Sequence, residues 1–325
     1  DRAIGFQRGW WHNRVKAGSL SVEQLVQVLD HLGLNPMKFL RRGLGQEDEL
    51  ELDRPQGSIP DVVLRAHARK SLKRVDDRLG LALLNTLDEQ RSQDPKKVVE
   101  IASWAIDHVE LKFLPRLLGV LGSAYGLLFL LDEAEHCFHA GIEIARDQDE
   151  DPPVVASLLT RLSYAVSNRG DRKTALRLAE RAAWLSLRFK DLDGFGRALL
   201  AQGSWLYYLD RPEEAITVLK IAQDHLSVSS QSSRFAAFQA SGVVCQKTGD
   251  LRGALQYFEA AREVLPDNDW DKGKLLWLQA RIHIDLKDAE TASALLEQVV
   301  GTFRDLHLGE TALATCELIR VHLHQ

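Results

Sequence analysis

The sequence predicts an all-α protein: a right-handed α-solenoid of helical hairpins, preceded by a small N-terminal helical module. Three observations predict it. Alanines recur at a near-constant period, small residues recur at a fixed offset from them, and a short polar turn precedes each one. The alanines are Ala134, Ala175, Ala215, Ala254 and Ala292, spaced 41, 40, 39 and 38 residues apart. Twelve positions before each stands Gly122, Ser163, Gly203, Gly242 or Ala280, and seven after each stands Gly141, Ala182, Ala222, Ala261 or Val299. Small residues at fixed positions let two helices approach closely, while Leu118, Leu121, Tyr125 and Phe138 fill the layer between them. One such pair cannot bury its apolar faces alone, so neighbouring pairs must stack.

The unit Phe238–Pro266 carries the pattern most clearly: Gly242, Ala254, Tyr257-Phe258, Ala261, then Pro266 ending the second helix. In these positions the chain resembles the tetratricopeptide repeat (TPR). Its period of 38–41 exceeds the usual repeat of about 34 and implies longer helices or loops, as in the variant repeats of bacterial regulators. Residues 79–109 read as a weaker preceding pair, with Asp94-Pro95 opening its second helix. Residues 309–325 read as one unpaired final helix, and Thr311–Leu323 is placed to cap the array or swap onto a partner.

The head, residues 1–42, is of another kind. Ser21–Leu32 predicts a helix with Ser21 as N-cap, Val22, Leu25, Val28, Leu29 and Leu32 on one face, and Gly33 as its stop. Asn35-Pro36 opens a second short helix, and Gln7–Lys16 predicts one before them. Three segments carry a resemblance to the lambda-repressor-like helix-turn-helix (XRE class). They are Ile4-Gly5-Phe6, Arg14-Val15-Lys16-Ala17-Gly18 and the run Leu29-Asp30-His31-Leu32-Gly33-Leu34-Asn35-Pro36. Residues 43–60, with the acidic stretch Glu47–Asp53 and Pro55, Gly57 and Pro60, form the predicted linker. The repeat domain is then 61–325.

Charge is distributed to match. Residues 1–42 hold seven Lys/Arg against three Asp/Glu, a net +4, within a chain whose total is −5. A basic head on an acidic body permits nucleic-acid contact by the head and excludes a chain that binds nucleic acid along its length. The resemblance implies that Gln7, Arg8, His12, Asn13, Arg14 and Lys16 face DNA. There, Gln and Asn pair with adenine and Arg with guanine, while Arg2, Arg14 or Lys16 meets phosphate. A solvated helix face is the other reading of the same residues.

In the repeats, the first helix of each pair lines the concave side in this class. Projecting the repeat phase selects Arg116, Arg161, Tyr164, Asn168, Arg197, Ser204, Tyr207, Tyr208, Gln239, Lys247, Trp277, Arg281 and Asp285. Amides and guanidinia suit peptide carbonyls or a carboxylate, and rings supply dry contact area. The layout is similar to that of peptide-sensing bacterial regulators, which implies a peptide or protein ligand. Packing between repeats is the competing use of Tyr164 and Tyr208.

Catalytic patterns are absent from the sequence: no Gly-x-x-x-x-Gly-Lys-Ser/Thr, no His-Glu-x-x-His, no Gly-x-Ser-x-Gly. The prediction is therefore a non-enzyme with no cofactor and no metal. Glu133, His136 and His139 supply half of a di-iron carboxylate pattern, without a second copy, and read as an exposed helix face. His322 and His324 read as surface residues. Cys137, Cys245 and Cys316 are an odd, widely spaced set in apolar contexts, which predicts reduced core thiols in a cytoplasmic protein. The uncharged run Leu117–Leu131 is 15 residues, short of the roughly 20 that span a bilayer, and predicts a buried helix rather than a membrane segment. The chain opens on Asp1 with Met37 its sole methionine, so residues are expected upstream. The functional expectation is a DNA-binding transcriptional regulator, a homodimer whose repeat domain binds a peptide or protein and controls the heads. The alternative is an interaction scaffold with a degenerate head and no DNA binding.

Overall fold

The computed structural model describes residues 77–91, 94–147, 152–228 and 230–303, together with 314–315, 317–318 and 321 near the end. The chain divides into two compact units, Asp1–Arg54 and Pro55–Gln325, and every described residue belongs to the second. The predicted head (1–42), the linker (43–60), Cys316, His322 and His324 lie outside the described residues.

Twelve α-helices and one 3-10 turn make up the described fold, and no described residue is in a strand. In order they are α1 (Asp77–Gln90), α2 (Pro95–Ala105), the 3-10 turn (Leu111–Phe113), α3 (Leu114–Leu127), α4 (Leu131–Asp147), α5 (Pro152–Asn168), α6 (Arg172–Arg188), α7 (Leu192–Tyr208), α8 (Pro212–His225), α9 (Gln231–Thr248), α10 (Leu251–Glu263), α11 (Asp269–Asp285) and α12 (Ala289–Phe303). The starts of α2, α6, α7, α10 and α11 carry a side-chain cap. Asp94, Asp171, Asp191 and Asp250 cap α2, α6, α7 and α10, accepting the backbone N–H of Lys97, Thr174, Gly194 and Gly253 at 3.1, 3.0, 2.9 and 2.9 Å. Asn268 does the same for α11, accepting from Asp271 at 2.8 Å. Each cap satisfies one of the donors a helix leaves open.

Helices pack in hairpins, α3 on α4 through α11 on α12, and each second helix then packs on the following first helix. First helices also touch one another in succession: α1 with α3, α3 with α5, α5 with α7, α7 with α9 and α9 with α11. They form a continuous inner layer. The five marker alanines are all fully buried. The small residues opposite them keep the helices close: a Cβ on Gly242 would lie 2.4 Å from Phe258, one on Gly203 2.6 Å from Leu219, and one on Gly122 2.9 Å from Phe138. The last described residues close the end of the core, with Ala314, Leu318 and Val321 against α11 and α12.

One expectation is corrected. Leu117–Leu131 is not one buried helix. α3 ends at Leu127, and Leu127, Phe129 and Leu130 are exposed in the turn to α4. The chain reverses there because Phe129 adopts a left-handed conformation (φ 59°), which ends a helix as glycine usually does. No described helix is long and apolar enough to cross a membrane.

Candidate functional site

The inner layer gathers part of the predicted set into a cleft. Arg116 of α3, Arg161 of α5 and Arg197 of α7 line an opening of about 250 Å³, closed on one side by Leu84, Asn85 and Asp88 of α1. Arg161 is its centre. It donates from Nη1 to Ser123 Oγ at 2.8 Å and from Nη2 to Asp88 Oδ1 at 3.0 Å, joining α5 to α3 and α1. Arg91 also pairs with Asp88. Burial alone would raise the Asp88 carboxyl, but the guanidinia of Arg161 and Arg91 outweigh it and hold the group below the usual carboxylate range. Desolvation, then the repulsion of Arg91 and more weakly of Arg197, keeps the Arg161 guanidinium below its usual value despite Asp88. Arg197 pairs with Asp193 one turn back on its own helix.

Beside the cleft lies an aromatic group. Tyr164 meets Trp205 edge-on at 4.9 Å, Trp205 stacks with Tyr208 at 6.3 Å, and Tyr207 meets Tyr208 edge-on at 5.2 Å. Trp205 is buried, and its indole N–H donates to Ser163 Oγ at 3.2 Å, across two repeats. Tyr164 and Tyr208 remain 39% and 51% exposed, so both pack between repeats and still present a ring face. Desolvation pushes the Tyr164 phenol up to about 12, which keeps it a neutral donor. Cations sit on the outer rings: Arg172 lies 5.0 Å from the Tyr208 centroid and Lys247 4.8 Å from that of Tyr207. Lys247 also pairs with Asp210 at 2.7 Å.

The other predicted residues are spread out. Asn168, Arg281 and Asp285 are exposed, and Asp285 accepts from Gln246 at 2.7 Å. Ser204 donates to the Leu200 carbonyl at 2.9 Å within α7. Gln239 is buried at 7%, and its Nε2 has no hydrogen-bond partner among the described residues. Trp277 turns toward the last helical residues, donating to Glu317 Oε2 at 2.5 Å and packing with Leu296 and Val321. Sequence reasoning missed Asp88, Asp191, Arg172 and Trp205 in these two groups. Trp205 had a signal, since it follows Tyr164 at 41 residues, one repeat period.

A second correction concerns α4. His136 is 5% exposed and its Nδ1–H donates to the Asp132 carbonyl at 2.7 Å, and His139 is half-buried, so Glu133, His136 and His139 do not form an exposed face. Desolvation, with the neighbouring His136, lowers His139 to about 4. No cluster of potential metal ligands occurs among the described residues. Cys137 and Cys245 are free and buried, and burial pushes both thiols up.

Neither a protein-family model nor a curated protein matches the chain. Solved structures do. BtubC (BKLC) from P. vanneervenii is similar with a TM-score of 0.52 at 14% identity, over 69% of this chain and 92% of its own. The APC/C hetero-tetramer Cut9–Hcn1 gives 0.58 at 16% identity over 76% of this chain and 43% of that one, so the match spans less than half of it. NprR in complex with its cognate peptide NprX gives 0.54 at 10% identity, over 96% and 81%. At these identities the likeness is one of fold. The chain is an all-α, TPR-like solenoid of helical hairpins.

Proposed function

We propose that the inner layer of first helices binds an extended peptide or a peptide segment of a partner protein. One observation carries this reading: Arg116, Arg161 and Arg197 and the rings of Tyr164 and Tyr208 come from successive repeats onto one layer and remain partly open. Guanidinia and part-exposed rings are the recognition groups of peptide grooves. The similarity to NprR, solved with its cognate peptide, supports the same use of the fold here.

The finer reading is a cytoplasmic transcriptional regulator. In it, residues 1–42 act as a DNA-binding head, the protein works as a homodimer, and ligand binding changes how two heads sit on their half-sites. The basic balance of 1–42 supports this part. The test is DNA retention by the protein against genomic fragments at two salt concentrations. Specific retention that weakens steeply with salt is the expected result. Arg14→Ala with Asn13→Ala should abolish it and leave ligand binding unchanged. A folded protein that retains no fragment at either salt returns the chain to the scaffold reading, in which the groove serves a protein partner alone.

A further inference from the structure

α6 carries a charge unlike that of the second helices that follow or precede it. It holds five Lys/Arg against one Asp/Glu, where α4 holds one against five, α8 one against three, α10 two against two and α12 none against two. Four of the five fall on one stripe: Lys173, Arg177, Arg181 and Arg188, at i, i+4, i+8 and i+15. At 1.5 Å per residue the stripe is about 22 Å long. Lys173, Arg177 and Arg188 are exposed and make no ion pair among the described residues, and Arg177 Nη2 donates to Thr174 Oγ1 at 2.9 Å. Glu180, the one acid of the helix, acts on Arg211 beyond α7. Trp184 stands half-buried within the stripe, with the guanidinia of Arg181 and Arg188 over its ring at 4.6 and 5.3 Å from the centroid. Two of the arginines are thereby held against a ring on a packed helix. The stripe ends on apolar surface, where Phe189 and Leu192 are 45% and 37% exposed. Like charges four residues apart repel on a helix, and an anionic partner removes that repulsion.

We propose that the exposed stripe of α6 docks an acidic segment of a partner protein. Glu or Asp side chains four residues apart on a helix match the spacing of Lys173, Arg177 and Arg181. A planar carboxylate fits the fork of a guanidinium. An apolar residue of the same segment covers Phe189 and Leu192, so that arginine and aromatic groups act together as they do at protein interfaces. Nucleic acid fits the stripe less well. Its phosphates would meet the cations but leave the apolar end uncovered, and the Trp184 ring, already under two guanidinia, is not open for a base to stack on. The stripe belongs to a second helix and is separate from the inner layer of first helices, so this docking does not rest on the peptide reading above.

The test follows the fluorescence anisotropy of labelled probes added to the 325-residue chain. One probe is a helical amidated peptide with Glu at every fourth position and leucines at one end. Another is the same peptide with Gln for each Glu, and the last is a short DNA duplex. Arg177→Gln with Arg188→Gln is compared with the unchanged chain. Lys220→Gln with Arg252→Gln, exposed cations of α8 and α10, removes the same charge elsewhere, and circular dichroism confirms each fold. The Glu peptide is expected to bind, more weakly as salt rises, and the Gln peptide is not. Arg177→Gln with Arg188→Gln should weaken the Glu peptide by about tenfold, as loss of charge-assisted contacts does, and the α8 and α10 pair should keep it. An equal loss in both pairs reports only the total charge and overturns the docking site. Unchanged affinity in the α6 pair puts the peptide elsewhere on the chain, on residues 1–42 or the inner layer, and overturns it too. A duplex that binds more tightly than the Glu peptide and is lost in the α6 pair reassigns the stripe to nucleic acid. No binding of the Glu peptide by the folded chain overturns the proposal outright.

Discussion

Phe129 is 82% exposed and holds φ at 59°, a conformation glycine adopts freely and phenylalanine does not. It is one of five equivalent turn residues: Phe129, Gly170, Asp210, Gly249 and Lys287 all have positive φ, between the first and second helix of their hairpins. The repeat imposes the conformation and the side chain accepts it at a cost of about 1–2 kcal/mol. Phe129→Gly is therefore expected to raise stability by about 1 kcal/mol in urea unfolding, after the extra entropy of glycine in the unfolded chain. A loss of stability would mean the ring makes a contact in solution. His139 sets a second test at this scale. Unfolded, it takes a proton near 6.5, and folded near 4. Its contribution is whole above about pH 6.5 and is lost as pH falls toward 4, on the order of 3 kcal/mol. His139→Gln should flatten that part of the stability–pH curve; an unchanged slope would remove His139 as its source. The exposure of Phe129 and the burial of His136 were both misread from sequence, because hydropathy does not say which turn needs a positive φ or what covers a helix.

Glycines divide the elements into two classes that one substitution separates. Gly242 of α9 faces the ring of Phe258, which is fully buried and 2.4 Å from where a Cβ would stand. Gly242→Ala should destabilise by about 1–3 kcal/mol through overpacking. Gly126 of α3 has nothing within 4 Å of its Cβ position, so Gly126→Ala should gain about 0.5–1 kcal/mol of helix propensity. Thermal melts of the two variants should move in opposite directions, and a shared direction would count against the close α9–α10 approach. The difference was half legible. Gly242 falls on the repeat phase, twelve residues before Ala254, while Gly126 does not. Asp171 and Asp250 were readable in the same way as parts of turns, and their capping role follows from position alone.

The whole molecule behaves as a chain of neighbours. Each hairpin packs on the next, so a change at one end should stay at that end. Leu318 and Val321 cover Leu296 and Trp277, and Ala314 packs by Val299 and Phe303. Ending the chain after Phe303 should speed hydrogen exchange in α11 and α12 while α3 to α6 keep their protection. Faster exchange throughout would show the array to be one cooperative block.

Period, hairpin number, capping aspartates and the small-on-large contacts follow from the sequence alone, because each depends on residues in one hairpin or in adjacent ones. Convergence was decided in three dimensions. Arg116, Arg161 and Arg197 stand 45 and 36 residues apart and meet in one cleft, with Asp88 from a helix the repeat phase barely marks. Trp277, at the same phase as Gln239, turns to the end of the array to meet Glu317. Periodicity reports that a residue belongs to the inner layer. Whether it meets solvent, a neighbouring ring or a guanidinium depends on the rotation between successive hairpins, which the side-chain volumes of every interface set together.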